Sequence, residues 1–212
     1  MTMVKLRAVA SAAAIDDAAT ALSQQGWSIL DANQHVDSAP GLYAIHAAAD
    51  TWQELGLPRT SGVPLYVGKS EGSLVTRELE GHFASNPDKP ARTGNSTVRR
   101  SLASLLREPL DLSGVPRGNA RKTAFTRSDF TNYELDVEGD ERLTQWMHRR
   151  LRLSVWPMPA SMTLAELGRV EIALIQRWTP PINIRDNPGK DPRLGTLRKQ
   201  MADEARAWHG SP

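Results

Sequence analysis

Gly41-Leu42-Tyr43-Ala44-Ile45-His46 and, after a connection from Ala47 to Val63, Pro64-Leu65-Tyr66-Val67-Gly68 are the two stretches on which the reading of the fold turns. Both are short apolar runs bounded by turn residues, which predicts two strands. Tyrosine occurs three times in the chain, and two of the three stand in these runs, each two residues from a glycine. Glycine in a strand lets backbone or ligand approach closely, so Gly41 and Gly68 read as support for the tyrosines. Singly, each tyrosine also reads as an amphipathic strand aromatic with its hydroxyl at the edge of the core. Tyr43 and Tyr66 lie 23 residues apart, so a long connection joins the strands rather than a tight hairpin.

Outward from this pair, spacing predicts helices at Ala8 to Leu22, Leu74 to Phe83, Ser96 to Arg107, Glu141 to Leu151, Thr163 to Trp178 and Leu194 to Trp208. Short strands are expected at Trp27 to Leu30 and at Leu153 to Trp156, and Gly114 to Lys122 reads as a flexible basic loop. The helix after the second strand carries Arg77, a planar donor suited to bidentate contact with phosphate. In the helix from Thr163, Leu164, Leu167, Leu174 and Trp178 form an apolar seam whose middle position is Glu171. A carboxylate there must meet an arginine, a hydrogen-bond network or a metal ion, because burying it unpaired is costly.

These residues resemble the GIY-YIG nuclease superfamily. Gly41-Leu42-Tyr43 looks like its first motif and Tyr66-Val67-Gly68 like its second, with Arg77 matching the arginine of the following helix. Glu171 with Ile172 to Ile175, then Pro180, Pro181 and Asn183, looks like the closing glutamate helix and its Pro-x-x-Asn end. The resemblance covers roughly residues 38–83 and 150–188, and the long stretch between them is closest in style to the restriction-endonuclease branch. Lys69 matches a lysine that some restriction members set beside the catalytic tyrosine; as a residue by itself it reads equally as a turn lysine. Family members often carry a histidine one helical turn after the arginine. His82 follows Arg77 by five residues, about 140° around a helix, and that role is not carried over to it.

The resemblance implies an α+β fold with a small three-stranded mixed or antiparallel sheet flanked by helices. Its segments would be an N-terminal extension (1–37), a nuclease domain (38–188) with a helical basic insertion at about 84–140, and a C-terminal helix (189–212). It implies a metal-dependent endonuclease hydrolysing DNA phosphodiester bonds, of restriction or phage-defence type. The alternative is a catalytically inactive nucleic-acid-binding or assembly module of the same fold. Such cleavage needs an activated water and neutralisation of charge building on the phosphoryl oxygens. A lone carboxylate suits one divalent cation, Mg2+ or Mn2+, held by Glu171. Arg77 would grip the scissile phosphate and Tyr43 would orient or deprotonate water, with Tyr66 supporting the network and Asn183 the site. A free phenol has a pKa near ~10, so Lys69 or the metal must lower it.

Composition bounds the partners. The chain has 212 residues, no cysteine and five histidines, which excludes disulfide frameworks and thiolate metal sites. No run reaches the ~18 apolar residues of a membrane span, and the expected location is the cytoplasm. The net charge of +2 is small, but residues 84–127 carry 9 basic and 3 acidic groups whereas residues 1–83 carry 5 and 9. Arg99, Arg100, Arg117, Arg121 and Lys122 in that segment are the candidate DNA contacts; a solvated charged face is the other reading. Double-stranded DNA is the favoured partner, and cutting both strands with one site per chain favours a homodimer.

Overall fold

The computed structural model describes residues 11–24, 26–75, 81–83 and 93–209. Alternation along β2 (Gly41–Ala47) explains the layering: Leu42 and Ala44 point to one side, Tyr43 and Ile45 to the other, and all four are buried. A strand with both faces apolar needs cover on both sides. β3 (Tyr66–Ser70) runs antiparallel to β2, placing Tyr43 opposite Gly68 and Leu42 opposite Lys69. On the other side of β2 lies β6 (Leu151–Pro157), and β1 (Trp27–Ser28) pairs with β6 to give the order β1-β6-β2-β3. The expected three strands thus gain a fourth from the N-terminal segment, and every pairing is antiparallel.

One face of the sheet packs on α1 (Ala12–Leu22) and α6 (Leu164–Trp178), with Leu42, Ala44, Val67 and Trp156 between them. The other face packs on a larger core built with α2 (Ala49–Glu54), α3 (Thr97–Leu105), α5 (Val137–Arg150) and α7 (Arg193–Ala207), around Tyr43, Ile45, Phe83, Leu102, Met147 and Met201. A two-stranded sheet of β4 (Gly114–Val115) and β5 (Glu134–Leu135), with α4 (Arg127–Thr131) between them in sequence, closes the far side. No helix among the described residues is long and apolar enough to cross a membrane.

Local chemistry sets the ends. Thr163 and Glu166 form a capping box at the start of α6, and Thr179 in the left-handed region (φ 47°) with Pro180 behind it ends the helix. α5 starts at Val137 rather than Glu141 because Asp136 caps it, accepting from the Gly139 N–H. The connection from Ala47 to Val63 contains α2, whose Trp52 is buried. The second strand begins two residues later than expected, at Tyr66, although the Leu65 N–H already donates to the Ile45 carbonyl (2.8 Å).

Two expectations for the basic insertion are corrected. Gly114 to Lys122 is no free loop: it opens with β4, and the Gly118 N–H donates to Glu134 Oε2 (3.0 Å). Arg99 does not face outward. It is fully buried, its Nη2 lies 3.1 Å from Asp140 Oδ1, and it donates further to the His82 and Asp140 carbonyls and the Thr144 hydroxyl. Burial pushes the Asp140 carboxyl up in spite of that cation and pushes Arg99 down, as expected of an ion pair taken out of water. Arg99 therefore ties α3 to α5. Arg100 is also buried, donating to the Gly94 carbonyl at 2.6 Å. Neither arginine is placed to reach DNA directly.

Candidate active site

The sequence-selected residues gather around the outer edge of β3. Because side chains alternate across a strand, Tyr66 and Gly68 lie with Tyr43 on one face while Val67 and Lys69 lie with α6 on the other. The two tyrosine rings sit 6.0 Å apart. Gly68 is required by that approach: a Cβ there would stand 2.4 Å from the Tyr43 hydroxyl and 2.8 Å from Tyr66 Cε1. Gly41 meets the same limit, since its Cβ would stand 2.4 Å from the Trp156 carbonyl oxygen.

Asn183 holds the edge. Its Oδ1 accepts from the Val67 N–H (2.8 Å) and its Nδ2 donates to the Val67 carbonyl (2.7 Å), while the Ile182 N–H donates to the Leu65 carbonyl. An amide side chain here does what a further strand would do for an open edge.

On the α6 face, Lys69 Nζ is 2.7 Å from Glu71 Oε1 and 3.9 Å from Glu171 Oε2. Gly168, one turn before Glu171, lets the lysine cross the helix, for a Cβ there would meet Nζ at 3.2 Å. Among the partners the sequence left open for Glu171, the structure supplies a lysine rather than an arginine. The seam is also rotated: the buried residues of α6 are Leu167, Val170, Leu174 and Ile175, and Leu164 is exposed. Glu171 therefore stands at the margin of the core, where its side chain is 19% exposed and lines a cleft of about 760 Å3 with Tyr66, Lys69 and Asn183. Burial raises its carboxyl to about 7, opposed by Lys69 and reinforced by Asp186 and Glu71.

Beneath the tyrosines is a residue that sequence reasoning left without a role. His82 is buried, its Nε2 lies 3.1 Å from the Tyr43 hydroxyl and its Nδ1 lies 2.7 Å from Ser96 Oγ, the N-cap of α3. Val75, Gly81 and His82 lie in wide, π-type turns. His82 also lines a second opening of about 580 Å3, which meets the first at Lys69 and Glu71. Arg77 and half of the helix expected from Leu74 to Phe83 lie outside the described residues.

Of the candidate DNA contacts, Arg117, Arg121 and Lys122 remain at the surface, remote in sequence from β3 and α6. Lys122 Nζ is 2.6 Å from Asp129 Oδ1, and Arg117 is 3.7 Å from the same oxygen. Lys122 and the Thr126 backbone hold the Asp129 carboxyl far below the usual range.

Glu171 fits the role of cation ligand: it is partly desolvated, opens on a cleft, and among the described residues has no closer counter-charge than Lys69 at 3.9 Å. No group of three or more His, Cys, Asp or Glu side chains is set to share a metal among the described residues, so the remaining ligands of such an ion would be waters and substrate oxygens, as suits Mg2+.

A sequence model for the GIY-YIG catalytic domain matches residues 57–200, more than half of the chain. That span holds Tyr66, Gly68, Lys69, Arg77, Glu171 and Asn183 and begins after Tyr43, which joins the site through the β2–β3 register. No curated protein and no solved structure matches the chain.

Proposed function

The chain belongs to the GIY-YIG nuclease superfamily, and from that premise we propose that it is a metal-dependent endonuclease that hydrolyses phosphodiester bonds in double-stranded DNA. The observation that carries this reading is the convergence on one strand edge of two facing tyrosines, a lysine and a partly desolvated glutamate that opens on a cleft. Restriction or phage defence is the biological setting we assign to it, with the cytoplasm as its location. A homodimer follows from the need to cut two strands with one site per chain.

Glu171 would hold one divalent cation, Mg2+ or Mn2+, which supplies charge neutralisation at the phosphoryl oxygens. Tyr43 deprotonates or orients the attacking water and passes its phenolic proton to His82 Nε2. For that nitrogen to accept, Nδ1 must carry the ring proton and donate it to Ser96 Oγ, which also accepts from the Arg99 N–H. Lys69 lies close enough to Glu171 to favour anionic groups in the cleft, and Tyr66, on the cleft wall, orients water or substrate. Arg77 is assigned to the scissile phosphate on the motif alone.

Incubation with supercoiled plasmid tests the reading. Nicking or linearisation with Mg2+ that EDTA abolishes is expected, and Glu171→Gln, nearly isosteric, should be inactive while remaining folded. Wild-type rates in Glu171→Gln would remove the metal assignment. Absence of cleavage by the native protein, together with retained DNA binding, would favour the inactive binding module.

A further inference from the structure

Arg198, on the middle of α7, lines the same cleft as Tyr66 and Glu171. The sequence singled out no residue of this helix. The side chain is half-buried, and its one hydrogen bond among the described residues is long, from Nη1 to Ser101 Oγ at 3.4 Å. Several cations of the fold are paired with a carboxylate, Arg99 with Asp140, Arg107 with Glu204 and Arg193 with Asp191. Arg198 has no such ion pair among the described residues. Burial pushes its guanidinium down, and its charge bears on the buried Arg100 beside it.

Two neighbouring guanidinium groups, neither ion-paired to a carboxylate among the described residues, are costly in a partly desolvated setting, and Arg100 is pushed down to about 10 by burial first and by Arg198 second. The cluster continues outward. Arg100 donates to the Gly94 carbonyl, and the stems of Glu134 and Arg117 both pass Gly94, where a Cβ would stand 2.6 Å from the first and 2.9 Å from the second; the Glu134 carboxylate itself accepts from the Gly118 N–H. Arg117, Arg100 and Arg198 thus form a run of positive charge from the surface of the basic insertion to the cleft wall. Asp129 and Glu134 lie near its outer end, at Arg117, and a polyanion laid along the run would supply counter-charge at its inner end, at Arg100 and Arg198.

We propose that Arg198 binds a backbone phosphate of the nucleic-acid strand that enters the cleft, flanking the phosphate to be cut, with Arg100 supporting it from behind. The assignment rests on the nuclease reading. It makes α7 a wall of the substrate site and explains why an unpaired arginine persists there.

Fluorescence-anisotropy titration of a labelled duplex, in EDTA to prevent cleavage and at several salt concentrations, tests it. Arg198→Gln should weaken binding roughly tenfold and lower the slope of log affinity against log salt by ~0.9, whereas Arg198→Lys keeps most of the slope. In Mg2+ the loss should fall on KM rather than kcat. Lys199→Gln and Arg206→Gln on the same helix, whose side chains pair with Asp203, should leave binding at the wild-type level. A merely structural role would lower the melting temperature of Arg198→Gln and leave the slope unmoved, and that result overturns the assignment while the nuclease reading stands. A native protein that neither binds nor cuts duplex DNA overturns both.

Discussion

A carboxyl that keeps its proton to about pH 7 makes folding sensitive to pH in a direction opposite to that of most acids. Glu171 has an ordinary value of 4.5 and is raised to about 7 by burial. Between those values the folded chain holds a proton that the unfolded chain has released, so stability falls as pH rises through that window and the penalty is complete above it. A tenfold change in proton affinity is worth ~1.4 kcal/mol. Discounted for partial exposure, ionised Glu171 therefore costs the metal-free protein about 1–2 kcal/mol. Glu171→Gln should be the more stable protein at pH 8 in EDTA and equal to wild type at pH 4 in urea denaturation. Equal stability at both values would contradict a desolvated carboxylate. Excess Mg2+ should raise the stability of wild type and leave Glu171→Gln unmoved. A second residue acts by being absent: Gly68→Ala would push the Tyr43 hydroxyl from its place. Overpacking costs ~1–3 kcal/mol, but misplacement by an ångström costs ~10²-fold in rate. Circular dichroism close to wild type with plasmid cleavage lost is the expected pair of results.

At the scale of the element, β3 is an edge strand whose outer side is satisfied by one amide. Asn183→Ala leaves the Val67 N–H and carbonyl without partners, at ~1–3 kcal/mol for each buried group. Asn183→Asp keeps the acceptor for the N–H but loses the donor and sets a carboxylate against a carbonyl, so both variants should be destabilised. Hydrogen exchange reads the effect at its source: the Val67 amide, protected in wild type, should exchange rapidly in Asn183→Ala while β2 amides stay protected. Uniform loss of protection across the sheet would mean that the amide supports the whole fold rather than one strand.

At the scale of the molecule, the basic insertion divides into an interior and a surface part. Arg99 serves the core and Arg100 lies buried behind Arg198, leaving Arg117, Arg121 and Lys122 at the surface for a polyanion. Asp129 competes for two of these three. Replacing all three by alanine should lower the salt slope of duplex binding by at least ~0.9 and by up to about three times that if each meets a phosphate. Asp129→Asn, which can still cap α4 through its side-chain oxygen, releases Arg117 and Lys122 and should tighten binding at low salt. If neither change moves the titration, the surface part of the insertion lies away from DNA.

Spacing in one chain was enough to locate both tyrosine strands, the glutamate helix and the concentration of cations, because alternation, helical periodicity and turn chemistry are local and are written in consecutive residues, whereas Asn183 came from the family resemblance. The same locality misled at Leu164 and at Arg99. An apolar row names a helix face but not its rotation against the sheet, and a run of arginines names charge but not which members find a buried carboxylate such as Asp140, 41 residues away in the chain. The place of His82 beside Tyr43 and that of Arg198 in the cleft were not legible for a related reason. The histidine reaches Tyr43 through a turn that departs from the ordinary helical period, and the arginine reaches the cleft because α7 packs back on α3, a contact between segments about a hundred residues apart. Local pattern decides which side chains exist on which face; only the packing of distant elements decides which of them share water, charge and a substrate.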